Sequence, residues 1–492
     1  MKNKKAILII DQGTTSTRCM AISLAGQVIS LQQQSFQQYY PVQDQVEHDA
    51  EEIWQTVVQT LQAAYNEASA QGYQLLSLGI TNQRETVVAW QPDGQPLTRA
   101  IVWQDRRTAD FCESLRAQGL TDLIAEKTGL PIDPYFSASK MRWLLDQPII
   151  QACDALKIGT IDSYLIYRLT GQHTTDVTNA SRTQLFNINT LSWDDELLKI
   201  FNIPTGILPL VKSNTDCFGT VNPQWLPQAL PITGVAGDQH AALLGQACVN
   251  AGMAKSTYGT GCFMMINTGE RKLVSRHQLI STLAWQIDKP VYAMEGAVYI
   301  AGSAIKWLKD LGLFSAVDID DLMLQADADT EVVYVPTFTG MAAPYWRQVQ
   351  GAIYGLTQAT TAAELLMAGL DAVTLQTYDL LNAFKEDGLH PSLLRIDGGM
   401  TINAVFNQRL ANLLELPTQT TMTHESTAMG AFYLAQIGLS RYRPDTDLIQ
   451  TVADIETRYQ LKTRYTPQID MQRSIRLDRW QRAVQATLHY HR

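Results

Sequence analysis

The sequence predicts an α/β protein built from two domains with a cleft between them. The chain has 492 residues, which exceeds what a single hydrophobic core normally supports. Two stretches, one near residue 10 and one near residue 257, run from an apolar strand into a glycine turn, a second strand and later a helix. This repeated order predicts two similar units, which we divide as residues 1–245 and 246–492.

The first unit begins with strand and helix signals in alternation. Apolar or alternating stretches predict strands at 6–10, 18–24, 27–36 and 75–80. Between the last two, "HDAEEIWQTVVQTLQAAYNEA" has apolar residues at helical spacing and predicts a helix over 48–68. Asp49 precedes Glu52 by three positions, the pattern of a capping box at the start of that helix.

The second unit shows the same signals in the same order. "MAKSTYGTGCFMMIN" predicts two strands joined by a glycine turn, and "VYAMEGAV" and "LLRIDGG" predict further strands. Helical patterns cover 301–314, 403–415 and 425–437. Small-molecule sites most often lie at domain interfaces, so we expect the functional site in the cleft.

Composition excludes several classes of protein. The chain has 38 basic and 48 acidic residues and a net charge of -10, which argues against a nucleic-acid-binding surface. The apolar run after the N-terminal lysines stops at Asp11, too soon for a signal peptide or a membrane span. Six cysteines occur without CxxC pairs, so we expect reduced cytoplasmic thiols and neither a zinc site nor a disulfide framework.

The stretch "KKAILIIDQGTTSTR" carries the first functional signal. Hydroxyls and backbone N–H groups in a glycine turn form a concave anion site, and Asp11 at the strand end can hold a divalent cation beside it. The alternative is a polar hairpin turn with nothing bound. The chain contains neither a Walker P-loop nor a GxGxxG fingerprint. Two further glycine-rich turns, "TYGTG" and "RIDGGM", follow strands in the second unit.

Together with these turns, ten stretches give the chain a family resemblance. They are "DQGTTSTR", "VEHDAEEIW", "GITNQRET", "AIVWQDRRT", "IDPYFSASK", "GTIDSYLIYRLTG", "TNASRT", "GVAGDQHAALLGQ", "MAKSTYGTGCFM" and "LRIDGG". The sequence resembles the FGGY carbohydrate kinases, and within them those acting on glycerol. The resemblance implies two actin-like ATPase (ribonuclease H-like) domains. It also implies transfer of phosphate from ATP to glycerol with Mg²⁺, giving sn-glycerol 3-phosphate.

The resemblance assigns the polyol site mainly to the first domain. Asp238, between an apolar strand and a helix, matches the general base; by itself it would be read as a helix N-cap. Arg84 and Glu85 offer a fork of donors and an acceptor, a combination that suits vicinal hydroxyls. Further polyol contacts match Trp103, Tyr135, Gln239 and Phe263, although an isolated aromatic is more often a core residue.

The nucleotide side spans both domains. The first phosphate loop, in the first domain, matches Thr14, Thr15, Ser16 and Arg18. The second-domain matches are Thr260 and Gly261 in the second loop, and Gly302, Lys306, Gly399 and Asn403 around the rest of the nucleotide. Asp11 is the expected magnesium anchor, through water, because Mg²⁺ keeps several waters and uses few carboxylates.

The sequence departs from the family at several positions. Arg347 and Asn412 replace aspartates, and Lys306 replaces a glutamine near the base of the nucleotide. His240 follows Gln239 where a glutamine is usual. We therefore expect weaker nucleotide binding, and we interpret His240 as structural.

Two alternatives stay open at this point. One is a family kinase for another polyol or ketose, such as erythritol or xylulose. The other is a non-catalytic actin-like ATP-binding protein. The expected partners are glycerol, ATP and further copies of this chain in a dimer or tetramer, with no nucleic acid and no membrane insertion.

Overall fold

The computed structural model describes residues 4–491 except 316–318, 320–321, 323–324, 327–329, 339, 424 and 444–446. The first half contains these elements: β1 Lys4–Gln12, β2 Ser16–Ser23, β3 Val28–Ser35, β4 Gln38–Tyr39, β5 Glu47–His48, α1 Ala50–Ala70, β6 Tyr73–Asn82, β7 Val87–Trp90, β8 Ala100–Ile101, α2 Ala109–Ala117, α3 Thr121–Thr128, α4 Ser137–Leu145, α5 Pro148–Gln151, β9 Lys157–Thr160, α6 Ile161–Thr170, β10 Thr174–Asp176, α7 Val177–Ala180, β11 Phe186–Asn187, β12 Ser192–Trp193, α8 Asp195–Phe201, β13 Leu210–Lys212, β14 Ile232–Gly237 and α9 Asp238–Gly245.

The second half contains these elements: β15 Ala254–Tyr258, β16 Cys262–Gly269, β17 Ile280–Gln286, β18 Pro290–Val298, α10 Gly302–Asp310, β19 Val333–Val335, β20 Ala352–Tyr354, α11 Ala362–Glu386, β21 Leu394–Asp397, α12 Ala404–Leu414, β22 Thr418–Thr421, α13 Ser426–Tyr442, α14 Val452–Glu456, β23 Leu461–Tyr465 and α15 Arg473–Tyr490.

The two halves share a five-stranded sheet of the same topology, to which the second half adds one edge strand on each side. In the first half the strand order is β14-β6-β1-β2-β3; β1 is antiparallel to β2 and parallel to β6. In the second half the order is β17-β18-β16-β15-β21-β22-β23, and β15 is antiparallel to β16 and parallel to β21. The strand order that the sequence repeats therefore corresponds to a repeated sheet, with a hairpin on one side of the first strand and parallel crossovers on the other.

Helix α1 covers one face of the first sheet. Its buried side chains Ile53, Trp54, Val57 and Leu61 recur at helical spacing. Asp49 caps the helix by accepting hydrogen bonds from the backbone N–H groups of Glu51 and Glu52, at 2.9 and 3.2 Å.

The predicted capping box at this helix is nevertheless wrong in its second part. The carboxylate of Glu52 does not return to Asp49, because it accepts a hydrogen bond from the backbone N–H of Gln37 at 3.0 Å. Glu52 therefore connects the helix to the segment after β3 instead of closing its own N-terminus.

Helix α13 belongs to the second half in sequence but packs against the first sheet. A Cβ atom added to Gly430 would lie 1.8 Å from the carbonyl oxygen of Ala241, and one added to Gly234 would lie 2.3 Å from the backbone nitrogen of Ala435. Such backbone contact is possible only where no side chain intervenes. The division into two domains at residue 245 stays a prediction. Helix α13 lies in the predicted second domain but packs against residues of the predicted first domain.

Several elements were not predicted from the sequence. Helix α11 is 25 residues long and begins with a complete capping box between Thr361 and Glu364. A small sheet with the order β4-β5-β8-β7-β9 lies beside the main sheet of the first half.

None of the helices in the described parts of the chain has the length and apolar composition that crossing a membrane requires.

Candidate active site

A cavity of about 300 Å³ contains most of the residues singled out by the sequence. Residues of both halves line it. The predicted residues among them are Thr14, Thr15, Arg84, Glu85, Trp103, Tyr135, Asp238, Gln239, Thr260, Gly261 and Phe263. Gln38, Tyr40, Gln104, Thr257 and Gly259 complete the lining and were not predicted.

Asp238 lies where β14 ends and α9 begins. Its Oδ1 atom accepts a hydrogen bond from the backbone N–H of Gln239 at 2.7 Å and lies 3.1 Å from Nε of Arg84. Burial raises the pKa of the Asp238 carboxyl, although Arg84 lowers it. A carboxylate with a raised pKa at the edge of a cavity is suited to accept a proton.

Arg84 and Glu85 form a tight turn directly after β6. The backbone N–H of Thr86 donates to the carbonyl oxygen of Arg84 at 2.7 Å, which makes Glu85 the central residue of a γ-turn. Glu85 accordingly has a positive φ of 62°. Such a backbone conformation is strained for a residue with a side chain and is concentrated at functional sites. The turn directs two neighbouring charged side chains into the same cavity.

A buried network of ion pairs holds this turn. Nη1 and Nη2 of Arg84 donate to the two carboxylate oxygens of Glu295, at 2.6 and 3.0 Å. Arg182 donates from Nε to Glu85 at 2.6 Å and from Nη2 to Glu295 at 3.1 Å. Glu295 and Arg182 are fully buried. Burial raises the pKa of Glu295, but Arg182 and Arg84 outweigh it and hold that pKa well below its usual range.

Sequence reasoning missed both Glu295 and Arg182. Glu295 is an acid in the middle of the otherwise apolar strand "VYAMEGAV". That position was itself a signal, because an acid buried in a strand needs a cationic partner.

Three aromatic side chains face one another at the cavity. The ring centroid of Trp103 lies 5.8 Å from that of Tyr135 and 6.3 Å from that of Phe263, in both cases edge to face. The indole Nε1 of Trp103 also donates a hydrogen bond to the hydroxyl of Thr14 at 3.0 Å. One side chain thus connects the expected polyol site to the expected first phosphate loop.

Gln239 is oriented by a buried lysine. Its Oε1 atom accepts a hydrogen bond from Nζ of Lys255 at 2.5 Å, and the same ammonium lies 3.0 Å from the hydroxyl of Thr257. Burial lowers the pKa of Lys255. With its oxygen bonded to Lys255, the Gln239 amide has N–H groups to offer to the cavity.

The glycine turns of the second half meet one another. The backbone N–H of Gly302 donates to the carbonyl oxygen of Gly259 at 3.0 Å, and that of Ala301 donates to Thr260 at 2.8 Å. A Cβ atom on Gly302 would lie 2.7 Å from the carbonyl oxygen of Gly259, so this contact requires glycine. A Cβ atom added to Gly399 would have no atom within 4 Å. Neither Gly302 nor Gly399 lines the cavity, so their roles toward a nucleotide stay predictions.

Four predicted nucleotide contacts have other partners. The ammonium of Lys306 is exposed and pairs with Asp310 one helical turn later. Arg18 pairs with Glu425 at 2.8 Å, and the hydroxyl of Ser16 accepts from Gln33 at 3.0 Å. Asn403 caps α12 by accepting from the backbone N–H of Phe406 at 2.8 Å. These side chains do not line the cavity, and their roles toward a nucleotide stay predictions.

Asp11 fits the role of a cation anchor. It is the second-last residue of β1 and pairs with Arg18 in β2. Burial raises its pKa to about 7, with Arg18 lowering it and the nearby charges of Glu425 and Asp238 raising it. Within the described ranges, no group of three or more His, Cys, Asp or Glu side chains is arranged to hold a metal ion. One carboxylate beside a phosphate chain is nevertheless a usual setting for Mg²⁺.

The positions that depart from the family pattern lie outside the cavity lining. Arg347 lines a different, wider cleft of about 1220 Å³. The Oδ1 atom of Asn412 accepts hydrogen bonds from Gln408 at 2.7 Å and from the backbone N–H of Gln468 at 2.9 Å. His240 is buried; its Nε2 lies 3.3 Å from the Thr282 hydroxyl, while burial holds its pKa well below the usual range. Weaker nucleotide binding through these substitutions stays a prediction.

Comparison with known proteins gives consistent results over the whole chain. Residues 6–245 match the N-terminal domain of the FGGY family of carbohydrate kinases, and residues 254–439 match its C-terminal domain. The chain is 44% identical to a glycerol kinase of Burkholderia pseudomallei (strain K96243), covering 98% of this chain and 97% of that protein. It is 45% identical to a glycerol kinase of Gluconobacter oxydans (strain 621H), covering 99% and 96%. The crystal structure of Plasmodium falciparum glycerol kinase with ADP is similar with a TM-score of 0.88 and 34% identity, covering 99% and 98%.

Proposed function

Because the chain belongs to the FGGY family of carbohydrate kinases, we propose that it phosphorylates glycerol with ATP, giving sn-glycerol 3-phosphate. The family membership confirms the predicted actin-like α/β fold and the prediction of a phosphotransferase. The names of the similar proteins, two bacterial glycerol kinases and a glycerol kinase crystallised with ADP, support glycerol and ATP as the substrates.

One observation supports the substrate more than any other. Arg84, Glu85 and Asp238 line one cavity of about 300 Å³ together with three aromatic rings. A guanidinium and a carboxylate side by side donate to and accept from adjacent hydroxyls, while the rings pack on a short carbon chain. A non-catalytic ATP-binding protein has no need of this arrangement.

Different residues of the site have different roles in the reaction. Asp238 accepts the proton of the attacking terminal hydroxyl, a contribution of roughly 10²–10⁴ in rate. Arg84 and Glu85 hold the other hydroxyls, so that the attacking oxygen is in line with the terminal phosphoryl group. Backbone N–H groups of the loops at Thr14 and Thr260 neutralise charge on the phosphate chain. Trp103 donates to Thr14 and so connects the polyol side of the cavity to the first phosphate loop.

Mg²⁺ fits the site at Asp11. Bound there with ATP, it would neutralise phosphate charge and polarise the phosphoryl group. Burial raises the pKa of Asp11 most, and the like charges of Glu425 and Asp238 add to it; a cation relieves that repulsion. Asp11 would hold the ion through water, as proposed from the sequence.

An ATP-consumption assay over a substrate panel tests the proposal. The purified chain is given ATP and Mg²⁺ with glycerol, erythritol, xylulose or no acceptor. We expect glycerol to give the highest kcat/KM and water alone to give almost no hydrolysis. Preference for erythritol or xylulose would replace glycerol as the substrate, and ATP consumption that no polyol stimulates would contradict kinase function.

We propose a cytoplasmic location and a homo-oligomer, either a dimer or a tetramer. The need for ATP and the six unpaired cysteines support the location. Cell fractionation tests the location, and sedimentation equilibrium tests the oligomeric state. A monomer at all concentrations would contradict the second proposal.

A further inference from the structure

Glu295 is the centre of the buried ion-pair network beside the cavity. It lies in β18, a strand of the second sheet, whereas Arg84 and Arg182 belong to the first half of the chain. Both guanidiniums donate to its carboxylate, over three distances between 2.6 and 3.1 Å. Two bonds from Arg84 in a fork geometry fix both the position and the plane of that guanidinium.

The network orients the two polyol-binding side chains through different hydrogen bonds. Arg84 is held by Glu295 through Nη1 and Nη2, which leaves Nε directed at Asp238 at 3.1 Å. Glu85 is held by Nε of Arg182, and Arg182 is held in turn by Glu295. Arg84 directly, and Glu85 through Arg182, are therefore both connected to one carboxylate.

The balance of charges explains why that carboxylate must be ionised. The cluster contains two guanidiniums and three carboxylates, those of Glu85, Asp238 and Glu295. Without the charge of Glu295, the guanidinium of Arg84 would be attracted fully to Asp238 and Glu85. Its Nη1 and Nη2 atoms, and not only Nε, would then pair with the groups that the substrate needs. Coulombic attraction is less screened in a buried site than at the surface, so the loss of this one charge changes which groups Arg84 pairs with.

We propose that Glu295 is a positioning residue: it holds Arg84 directly, and Glu85 through Arg182, in the geometry that recognises the hydroxyls of the polyol. The inference rests on the proposed function, because it concerns recognition of that polyol. It assigns to the second half of the chain a share in substrate discrimination, although Glu295 does not line the cavity.

Discrimination between two small polyols is the direct test. Propane-1,2-diol has a methyl group in place of one terminal CH₂OH group of glycerol. A site built to bond a hydroxyl rejects an analogue lacking it, because the site's buried polar groups lose a partner. The ratio of kcat/KM for glycerol to that for propane-1,2-diol therefore reports the geometry of Arg84 and Glu85, whereas a general loss of folded protein does not change it.

Glu295→Gln keeps the size of the side chain and removes its charge. We expect the glycerol KM to rise at least tenfold, the ATP KM to stay within twofold, and the discrimination ratio to fall at least tenfold. Glu51→Gln is the matched control: Glu51 pairs with Arg168 at 2.7 Å between α1 and α6, and neither residue lines the cavity. It should leave all three quantities unchanged.

A second variant keeps the test decisive if Glu295→Gln does not fold. Arg182→Lys retains the positive charge but cannot bond Glu85 and Glu295 in a planar fork, and we expect the discrimination ratio to fall severalfold. Folded Glu295→Gln, or in its absence folded Arg182→Lys, with the wild-type ratio would overturn the inference. Wild-type protein without glycerol-dependent ATP consumption would instead overturn the proposed function, so the two failures are distinguishable.

Discussion

Replacement of Asp238 by asparagine separates binding from catalysis at this site. The carboxylate accepts from the backbone N–H of Gln239 at 2.7 Å and lies 3.1 Å from Nε of Arg84. The side-chain oxygen of asparagine can keep both donors, so glycerol binding should change little. The amide cannot take a proton, so kcat should fall by about 10²–10⁴, equivalent to roughly 3–5 kcal/mol of transition-state stabilisation.

Stability gives the internal control for this variant. Burial raises the pKa of Asp238, which means that the folded protein disfavours the ionised form at neutral pH. Asp238→Asn should therefore have a thermal midpoint at pH 7 equal to or above that of the wild type. A fall in kcat with an unchanged midpoint excludes misfolding as its cause.

Steady-state kinetics and calorimetry provide the measurements. Initial rates at saturating ATP and glycerol give kcat, and titration of glycerol into the enzyme gives its dissociation constant. Asp371→Asn is the matched control, since Asp371 pairs with Arg409 at 2.6 Å and does not line the cavity. A kcat of Asp238→Asn within tenfold of the wild-type value would refute the assignment of Asp238 as the base.

Three further predictions concern the polyol pair, the cation anchor and the helix contact. Arg84→Ala or Glu85→Ala should raise the glycerol KM strongly with little change in ATP affinity, since each leaves a charged partner and substrate hydroxyls unpaired; calorimetry showing ATP binding lost and glycerol binding kept would contradict the assignment. The pKa of Asp11 is raised to about 7, so its ionised form destabilises the fold above pH 7 and this cost is lost as the pH falls towards 4. In metal-free protein Asp11→Asn should therefore raise the thermal midpoint at pH 8 and less at pH 5, and an equal gain at both values would argue against it. Gly430→Ala should lower the free energy of unfolding, measured in urea, by at least about 1–3 kcal/mol. Gly206→Ala, with no atom within 4 Å of the added Cβ, is the control; equal free energies of unfolding for the two variants would disprove the close contact.

Features that depend on local sequence were predicted well. The strand before Asp11, the hairpin that follows it and helix α1 are visible as apolar periodicity, and the structure contains all of them. Eleven of the predicted site residues line one cavity, and eight of them follow the ends of β1, β6, β14 and β15. Strand ends of this kind are where α/β proteins bind ligands.

Features that depend on distant contacts could not be predicted. The role of Glu295 follows only from its pairing with Arg84, 211 positions earlier in the chain. The carboxylate of Glu52 pairs with a backbone group that no helix rule identifies. Lys306 is placed near a nucleotide by the resemblance, but its geometry in this chain depends on Asp310 one turn later. In each case the deciding partner is chosen by tertiary structure.

Helix α13 has a consequence for how the chain is made. The polypeptide that forms β14 and α9 leaves the ribosome long before residues 426–442, whose backbone lies directly against Gly234 and Ala241. During that interval one face of the first sheet has no covering helix, and exposed apolar sheet surface is prone to aggregation. The first half can therefore complete its folding only after residues 426–442 of the second half have been translated. A chain truncated before residue 426 would lack a part of its own N-terminal core.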